Sequence, residues 1–397
     1  MLHSLRAYPA FQLLLLGTLA TNSAFWMYQV AVGWLALQLM DSPLFVGLTG
    51  FAGGIPLLVF SLPAGMIIDR FDRRLVLLAS QSGVMMLAAA FAILVGTNTI
   101  APWSMLVLVF SSGTVMAFIF PTRTTIVTSL VSRDDLANAV ALNAAGQNAT
   151  RVIGPALAGV LIALIGTAGT FAVAAMLQIL ALAATSRLPA RSGPAPARGA
   201  KGWAGLTLGL RIVAHDRFLL RLILLSLATN ILVMPYINLM PVFARDKLHV
   251  GSSGLGLLLA STGLGTVVGA LWVAHSRRLG DWTGAHTVTG AAFAVLIVAF
   301  AMTPTVLLVV LLLFAAGVLS AAFLALTQTA LQMRVDDEVR GRVLSVYLLT
   351  WGMLPIGQLG VGALADRIGA SLAMAAACTL ALAAIGVIAW RHPAESS

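Results

Sequence analysis

The chain has 397 residues, 60% of them apolar and only 9% charged, with a mean hydropathy of +0.99. A soluble domain carries roughly a quarter charged residues, so this composition excludes water as the main solvent and implies lipid. The net charge of +10 and pI near 11.1 would suggest nucleic acid in a soluble chain. In a membrane chain the same excess marks loops held in the cytoplasm, and no nucleic-acid partner is expected.

A membrane-crossing helix needs about 20 apolar residues. Runs of that kind cover 11–40, 44–68, 75–95, 103–127, 137–165, 170–187, 218–243, 253–274, 285–301, 305–331, 343–365 and 370–390. The first follows a basic residue, as in a signal peptide, but its apolar stretch runs past Trp26 without a small-residue cleavage site. It is read as a retained membrane helix. Cys378 is the only cysteine, so neither a disulfide framework nor a metal cluster is expected, and no cofactor.

Charge tests this map. With a cytoplasmic N-terminus, the outer junctions hold only Arg245, Lys247 and Arg367, and Arg151 alone lies inside a span. The other 19 of the 23 basic residues fall on the cytoplasmic side, among them Arg123 and Arg221. That bias predicts both termini in the cytoplasm. Residues 188–217 form the one long connection. Its first half is rich in Pro, Gly and Ala. Its second half can form an amphipathic helix with Trp203, Leu206 and Leu210 facing lipid, although a plain linker fits equally.

The chain repeats itself. LGTLATN at 16–22 and LLSLATN at 224–230 share five of seven residues, and Tyr28 meets Tyr236 at the same offset of 208. At an offset of 203, Gly154, Gly159 and Gly166 meet Gly357, Gly362 and Gly369. The acidic stretches RDD (133–135) and DDE (336–338) also align. A duplicated six-helix unit follows. The expected architecture is an all-α integral membrane protein of twelve transmembrane helices in two pseudo-symmetric six-helix bundles, 1–187 and 218–397. Duplicated membrane halves are common in secondary transporters, which hold a substrate near the midplane.

Between the second and third runs, GMIIDRFDRR (65–74) gathers five charges in ten residues. Gly65 lets a neighbouring helix approach closely. Asp69 is placed to cap the N-terminus of another helix. Arg70, Arg73 and Arg74 hold the loop in the cytoplasm and can pair with acidic groups, so the set is a candidate conformational latch; a simple topogenic cluster is the alternative. GxxxDRxxRR resembles the signature loop of the major facilitator superfamily, except that Asp72 stands where the family usually has glycine. The stretches at 132–159 and 335–347 resemble the bacterial branch with enterobactin exporters and macrolide efflux proteins. That resemblance implies the major facilitator fold and a monomeric transporter. GALADRIG (362–369) repeats the pattern without the basic tail, on the outer side by parity.

Polar residues inside the runs are the candidate substrate site. Arg151 sits mid-span in the fifth run, where a charge needs a cavity or a partner, with Asn143 and Gln147 within about a quarter-turn on the helical wheel. Gly154-Pro155 and Gly159 resemble the end of the fifth-helix motif of antiporters in the superfamily, while Ala141 and Thr150 replace its two earlier glycines. Asn22, Trp26 and Gln29 form a stripe on the first run. Asn230, Tyr236 and Asn238 lie on the seventh, Gln328 on the tenth, Trp351 and Gln358 on the eleventh. The resemblance implies that helices one, four, seven and ten line the cavity, with five and eleven contributing. For each single Asn or Gln, an interhelical hydrogen bond is the plainer role.

No acidic residue falls at a predicted midplane, which leaves Asp41 and Asp366, both near the outer face, as carboxylate candidates for coupling; Asp41 and Arg151 are the coupling candidates taken forward, with protons as the candidate ion. Asp41 also reads as a helix-start residue before Ser-Pro. No catalytic constellation lies at one depth, and no GxxxxGK[ST] cradle is present, so no enzymatic activity is expected. The readings that remain are an exporter of small amphiphilic, drug- or siderophore-like molecules; an uptake carrier or facilitator; and a transport-inactive sensor.

Overall fold

The computed structural model describes residues 8–132, 134–188, 202–276 and 284–391. Arg6, Arg133, the linker's first half (189–201), Arg277 and Arg278 lie outside the described residues, as do the side chains of Asp69 and Trp203. The described elements are helices in chain order: α1 Pro9–Met40, α2 Pro43–Arg70, α3 Arg73–Gly96, α4 Pro102–Leu130, α5 Leu136–Ser186, α6 Gly202–His215, α7 Arg217–Lys247, α8 Gly251–His275, α9 Ala285–Met302, α10 Val306–Arg334, α11 Val339–Ile368 and α12 Ala370–Arg391. Ten of them are long and apolar enough to cross a membrane. α1 falls outside the ten because Thr18, Thr21, Asn22, Ser23 and Gln29 interrupt its apolar run. α5 counts once among the ten, although Gly166 breaks it at φ 72°, ψ 177°. A side chain there would be strained, so the break divides α5 into limbs 136–165 and 167–186.

Local chemistry explains the ends. Asp72 caps α3, accepting from the backbone N–H of Arg74 at 2.7 Å and Leu75 at 3.4 Å. Asp216 does the same for α7 with Phe218 at 2.8 Å and Leu219 at 3.1 Å. Each removes orphan donors from a first turn. Proline opens α1 and α4, where its missing N–H costs nothing. α7 is the irregular one: Pro235 and Pro241 interrupt it, and two stretches of wider turns, Thr229–Val233 and Phe243–Lys247, absorb the mismatch. Asp41 was expected to start α2. It instead ends α1 in the left-handed region (φ 47°), its N–H on the Leu37 carbonyl, and Ser42 begins α2.

The helices pack into two compact units. One holds the described residues of Met1–Asp41, Ala52–Ala197 and Val250–Ala260; the other holds those of Ser42–Phe51, Arg198–His249 and Ser261–Ser397. In the first, α1 and α3 lie along α5, and Phe11, Leu14, Leu77, Ile119 and Ile126 form an apolar core. In the second, α9 packs on α10 and α12, and Leu219, Leu222, Leu331, Val343 and Val346 form the corresponding core. The outward faces carry large exposed apolar side chains, including Trp103, Leu164, Leu307 and Trp390, a mantle that water would not tolerate and lipid does.

The repeat read from the sequence recurs as equivalent contacts. A Cβ built on Gly154 would lie 2.7 Å from the Trp26 Cβ and 3.5 Å from the Ser23 carbonyl; one on Gly357 would strike the Ile231 carbonyl, 208 residues from Ser23. Gly159 faces Gly256, and Gly362 faces Gly47. Gly166 and Gly369 both have positive φ. Asp41 and His249, 208 apart, share a left-handed conformation where α1 and α7 end. Tyr28 meets Phe91 edge-on at 5.6 Å, as Tyr236 meets Phe300 at 6.4 Å. A duplicated glycine is thus kept where two backbones touch.

The second half of the linker does form a helix, α6, but not with the face expected. Leu206 packs on the core of the second unit and Val213 is buried in it. Gly209 brings α6 onto α11, since a Cβ there would lie 2.5 Å from the Arg342 carbonyl. Leu210, at 44% exposure, remains outward as predicted.

Candidate functional site

In the first unit, two helices bring the predicted polar residues together. Asn22, Trp26 and Gln29 follow one stripe of α1, and Asn143, Gln147 and Arg151 follow one face of the first limb of α5. Gly154 seats Trp26 against α5 by having no side chain of its own. Gly146 does the same for Leu19, which a Cβ would approach to 2.9 Å. The guanidinium carbon of Arg151 then lies 5.5 Å from the centre of the Trp26 ring, within cation–π range. Phe25 stands edge-on to the same indole at 5.4 Å. Arg151, Trp26 and Gln147 are half-buried, Gln29 is exposed, and Asn22 and Asn143 are buried. The Asn143 Oδ1 has no hydrogen-bond partner. A half-buried cation on an indole face, about two turns along the same helix from an unsatisfied amide, can bind an aromatic or anionic amphiphile.

The second unit holds the remaining predicted residues in four places. Asn230 is buried and donates to the Thr350 Oγ1 at 3.1 Å. Asn238 donates to the Val46 carbonyl at 2.8 Å, and it and Gln358 both close on Gly50: a Cβ there would lie 2.8 Å and 2.6 Å from their amides. Trp351 and the exposed Gln328 face the hydroxyl of Tyr347. Tyr236 lies elsewhere, 1% exposed between Phe293 and Phe300. Its ring is core, as its apolar body favours.

The loop at 65–74 departs from expectation at its glycine. Gly65 was expected to allow close helix packing, yet a Cβ there would meet nothing within 4 Å among the described residues. Asp72 caps its own helix, and the Asp69 side chain lies outside the described residues. Arg74 donates to the Ser186 carbonyl and so ties the turn to the end of α5; Arg73 is half-buried and Arg70 exposed. Asp41, a coupling candidate, is exposed at the end of α1.

A buried cation was missed. The positive-inside tally put Arg123 in a junction, but it lies within α4 at 5% exposure. Its Nη2 donates to the Thr21 Oγ1 at 2.8 Å and the Gly17 carbonyl at 3.3 Å. Gln81 donates to the same Thr21 oxygen at 3.4 Å, and Thr21 donates to Gln178 at 3.3 Å. Four helical segments thus meet on one hydroxyl. Arg221, likewise counted as cytoplasmic, lies within α7 at 4% exposure, donating to Thr287 at 2.8 Å. Arg151 is therefore not the only arginine inside a helix. Gln81 and Gln178, each mid-run in apolar sequence, were the signal that a partner had to be nearby.

Comparison with known proteins agrees with this architecture. The family model for transmembrane secretion effectors matches residues 4–397. The chain is 28% identical over 371 residues to a multidrug efflux pump of Mycolicibacterium fortuitum, covering 91% of this chain and 90% of that one. It is 27% identical over 353 residues to the enterobactin exporter of Citrobacter koseri, covering 85% and 81%. It is 23% identical over 350 residues to the staphyloferrin A transporter of Staphylococcus aureus, covering 87% and 86%. Among solved structures, a bacterial homologue of the lysosomal transporter Spinster superposes with a TM-score of 0.75 at 16% identity, covering 97% of this chain and 98% of that one. A bacterial homologue of ferroportin gives 0.74 at 18% identity, covering 96% and 98%. The chain belongs to the transmembrane secretion effector family of major facilitator transporters, multi-pass membrane proteins that bind small-molecule substrates and are not enzymes.

Proposed function

We propose that the protein is a secondary active exporter of small amphiphilic molecules, working by alternating access as a monomer in the bacterial inner membrane. The Arg151–Trp26 pair carries this reading: a half-exposed cation on an aromatic face, in a membrane-spanning unit, suits a substrate with a ring and an anionic or polar group. The efflux pump and the enterobactin exporter named above, matched over 90% and 81% of their lengths, support export. Twelve crossings follow if α1 spans despite its polar stripe and α5 crosses twice about Gly166. Both termini are then cytoplasmic. Residues 1–187 and 218–397 form the duplicated halves, with 188–217 between them. The substrate set is Asn22, Trp26, Gln29, Asn143, Gln147 and Arg151 from the first half, and Asn230, Asn238, Gln328, Trp351 and Gln358 from the second; Tyr236 supports them from the core. Protons are the proposed coupling ion, with Asp41 and Arg151 as the candidate groups.

Everted vesicles test the direction and the coupling. Accumulation of a fluorescent lipophilic dye or a catecholate siderophore, collapsed by an uncoupler, is the expected result. Flux only down a gradient would make the protein a facilitator. The latch at 65–74 has its own test: Asp69→Asn should lower transport about tenfold, the order of a carboxylate lost from a favourable partly buried helix-end site, with membrane insertion unchanged. Wild-type flux in that variant would reduce the loop to a topological marker.

A further inference from the structure

The second copy of the loop pattern, GALADRIG at 362–369, has no part in the proposed site, yet its glycine makes close backbone contacts. At Gly65 a Cβ would meet nothing within 4 Å among the described residues, whereas at Gly362 it would lie 2.9 Å from the Gly47 Cα and 2.9 Å from the Pro43 carbonyl. Four residues after Gly362, the Asp366 carboxylate accepts from the Ser42 Oγ at 2.6 Å and from the Leu44 N–H at 3.4 Å. Ser42 in turn accepts from the Phe45 N–H at 3.3 Å on its Oγ and from the Val46 N–H at 3.2 Å on its carbonyl. One turn inward, a Cβ on Gly47 would lie 2.7 Å from the Gln358 carbonyl. At the residue before Gly47, Asn238 donates to the Val46 carbonyl at 2.8 Å. The seam between α2 and α11 is therefore bare backbone contact, sealed at its mouth by a carboxylate on the positive end of a helix.

We propose that Asp366 is a positioning residue for transport, a latch that holds the start of α2 against α11 in one conformation of the cycle and releases it in the other. This rests on the alternating-access reading above. The physical argument is one of contrast. A glycine seam has no interlocking side chains, so it can part and re-form at little cost, and van der Waals contact alone holds it weakly. Two charge-assisted acceptances at an N-terminus add a directional bond that is lost whole when α2 moves. The copy of Gly-x-x-x-Asp-Arg at 362–367 is engaged here, and in this proposal the copy at 65–70 acts in opposition to it, holding when this one opens.

The test is the distance between spin labels at Thr99→Cys and Thr305→Cys, in loops that the proposed topology puts outside, with the buried Cys378 replaced by alanine. In lipid nanodiscs the wild type should show two distance populations. Asp366→Ala should shift their ratio about tenfold toward the longer distance, the size expected for loss of a charged hydrogen bond. Asp366→Glu should restore part of the shift. Ser42→Ala should shift it less, since the Leu44 N–H still reaches the carboxylate, and Asp69→Asn should move it the other way. A ratio unmoved by Asp366→Ala while Asp69→Asn still moves it would overturn the latch and leave alternating access standing. One fixed distance in the wild type and every variant would overturn both. Asp366 is exposed at a helix end, so its variants should keep the wild-type melting temperature, which checks that the shift is not misfolding.

Discussion

Gly113→Val and Gly317→Val should each strongly destabilise the folded protein in the membrane. A Cβ on Gly113 would sit under 3.0 Å from the carbonyl of Gly53, and one on Gly317 equally close to the carbonyl of Thr262. Both obstacles are backbone inside neighbouring helices, so no side chain can swing away. The helices would have to separate along their length, opening a gap that lipid cannot fill well. Overpacking of a tight core costs about 1–3 kcal/mol, and the upper end or beyond is expected against rigid backbone. Set against a stability of about 5–15 kcal/mol, that should show as loss of monodisperse protein after detergent extraction and a melting temperature at least several degrees lower. Gly386→Ala is the control, because nothing lies within 4 Å of that position and a mid-helix alanine is favoured by about 0.5–1 kcal/mol. Equal melting temperatures for Gly113→Val and the control would refute the packing described here.

The second large effect concerns the Arg151–Trp26 pair. Arg151→Ala and Trp26→Ala should each lower kcat/KM for an exported aromatic anion about tenfold, the loss of one desolvated cation–π contact and of the group facing substrate. The double variant should lose less than the sum of the two, because the residues share one contact. Arg151→Lys should recover only part, since an ammonium lacks the flat guanidinium that stacks on an indole. Gly154→Leu should mimic Trp26→Ala without touching either residue, by driving the indole from its seat. Additive losses would separate the two residues, and unchanged kinetics with every substrate would leave Arg151 as scaffolding for helix packing.

Much of this was legible in the chain, for identifiable reasons. Lipid leaves no choice about backbone satisfaction, so apolar runs read as helices with little ambiguity. Gly154, Gly159 and Gly166 matched their partners at 203 because the close contacts and the positive φ they serve are themselves duplicated. The Arg151–Asn143–Gln147 face was legible from helical period alone. Arg123 was not, because distance from a helix end says nothing about whether a side chain turns toward water or toward Thr21. Asp41 and Ser42 could not be told apart as caps from residue type, since either can cap; a left-handed backbone at Asp41 decided it. Leu206 was misdirected because an apolar stripe names the need for an apolar partner and not which one, lipid or α11.

Composition and the long apolar runs were enough to establish a lipid-dissolved helical protein, because those properties are sums over many residues and survive any single misreading. The tertiary structure alone decided which polar groups meet: Trp26 under Arg151, Thr21 at the centre of four helical segments, Asp366 on the start of α2. Such meetings join residues far apart in the chain, and they depend on angstrom-scale approaches between helices that no periodicity along one helix encodes.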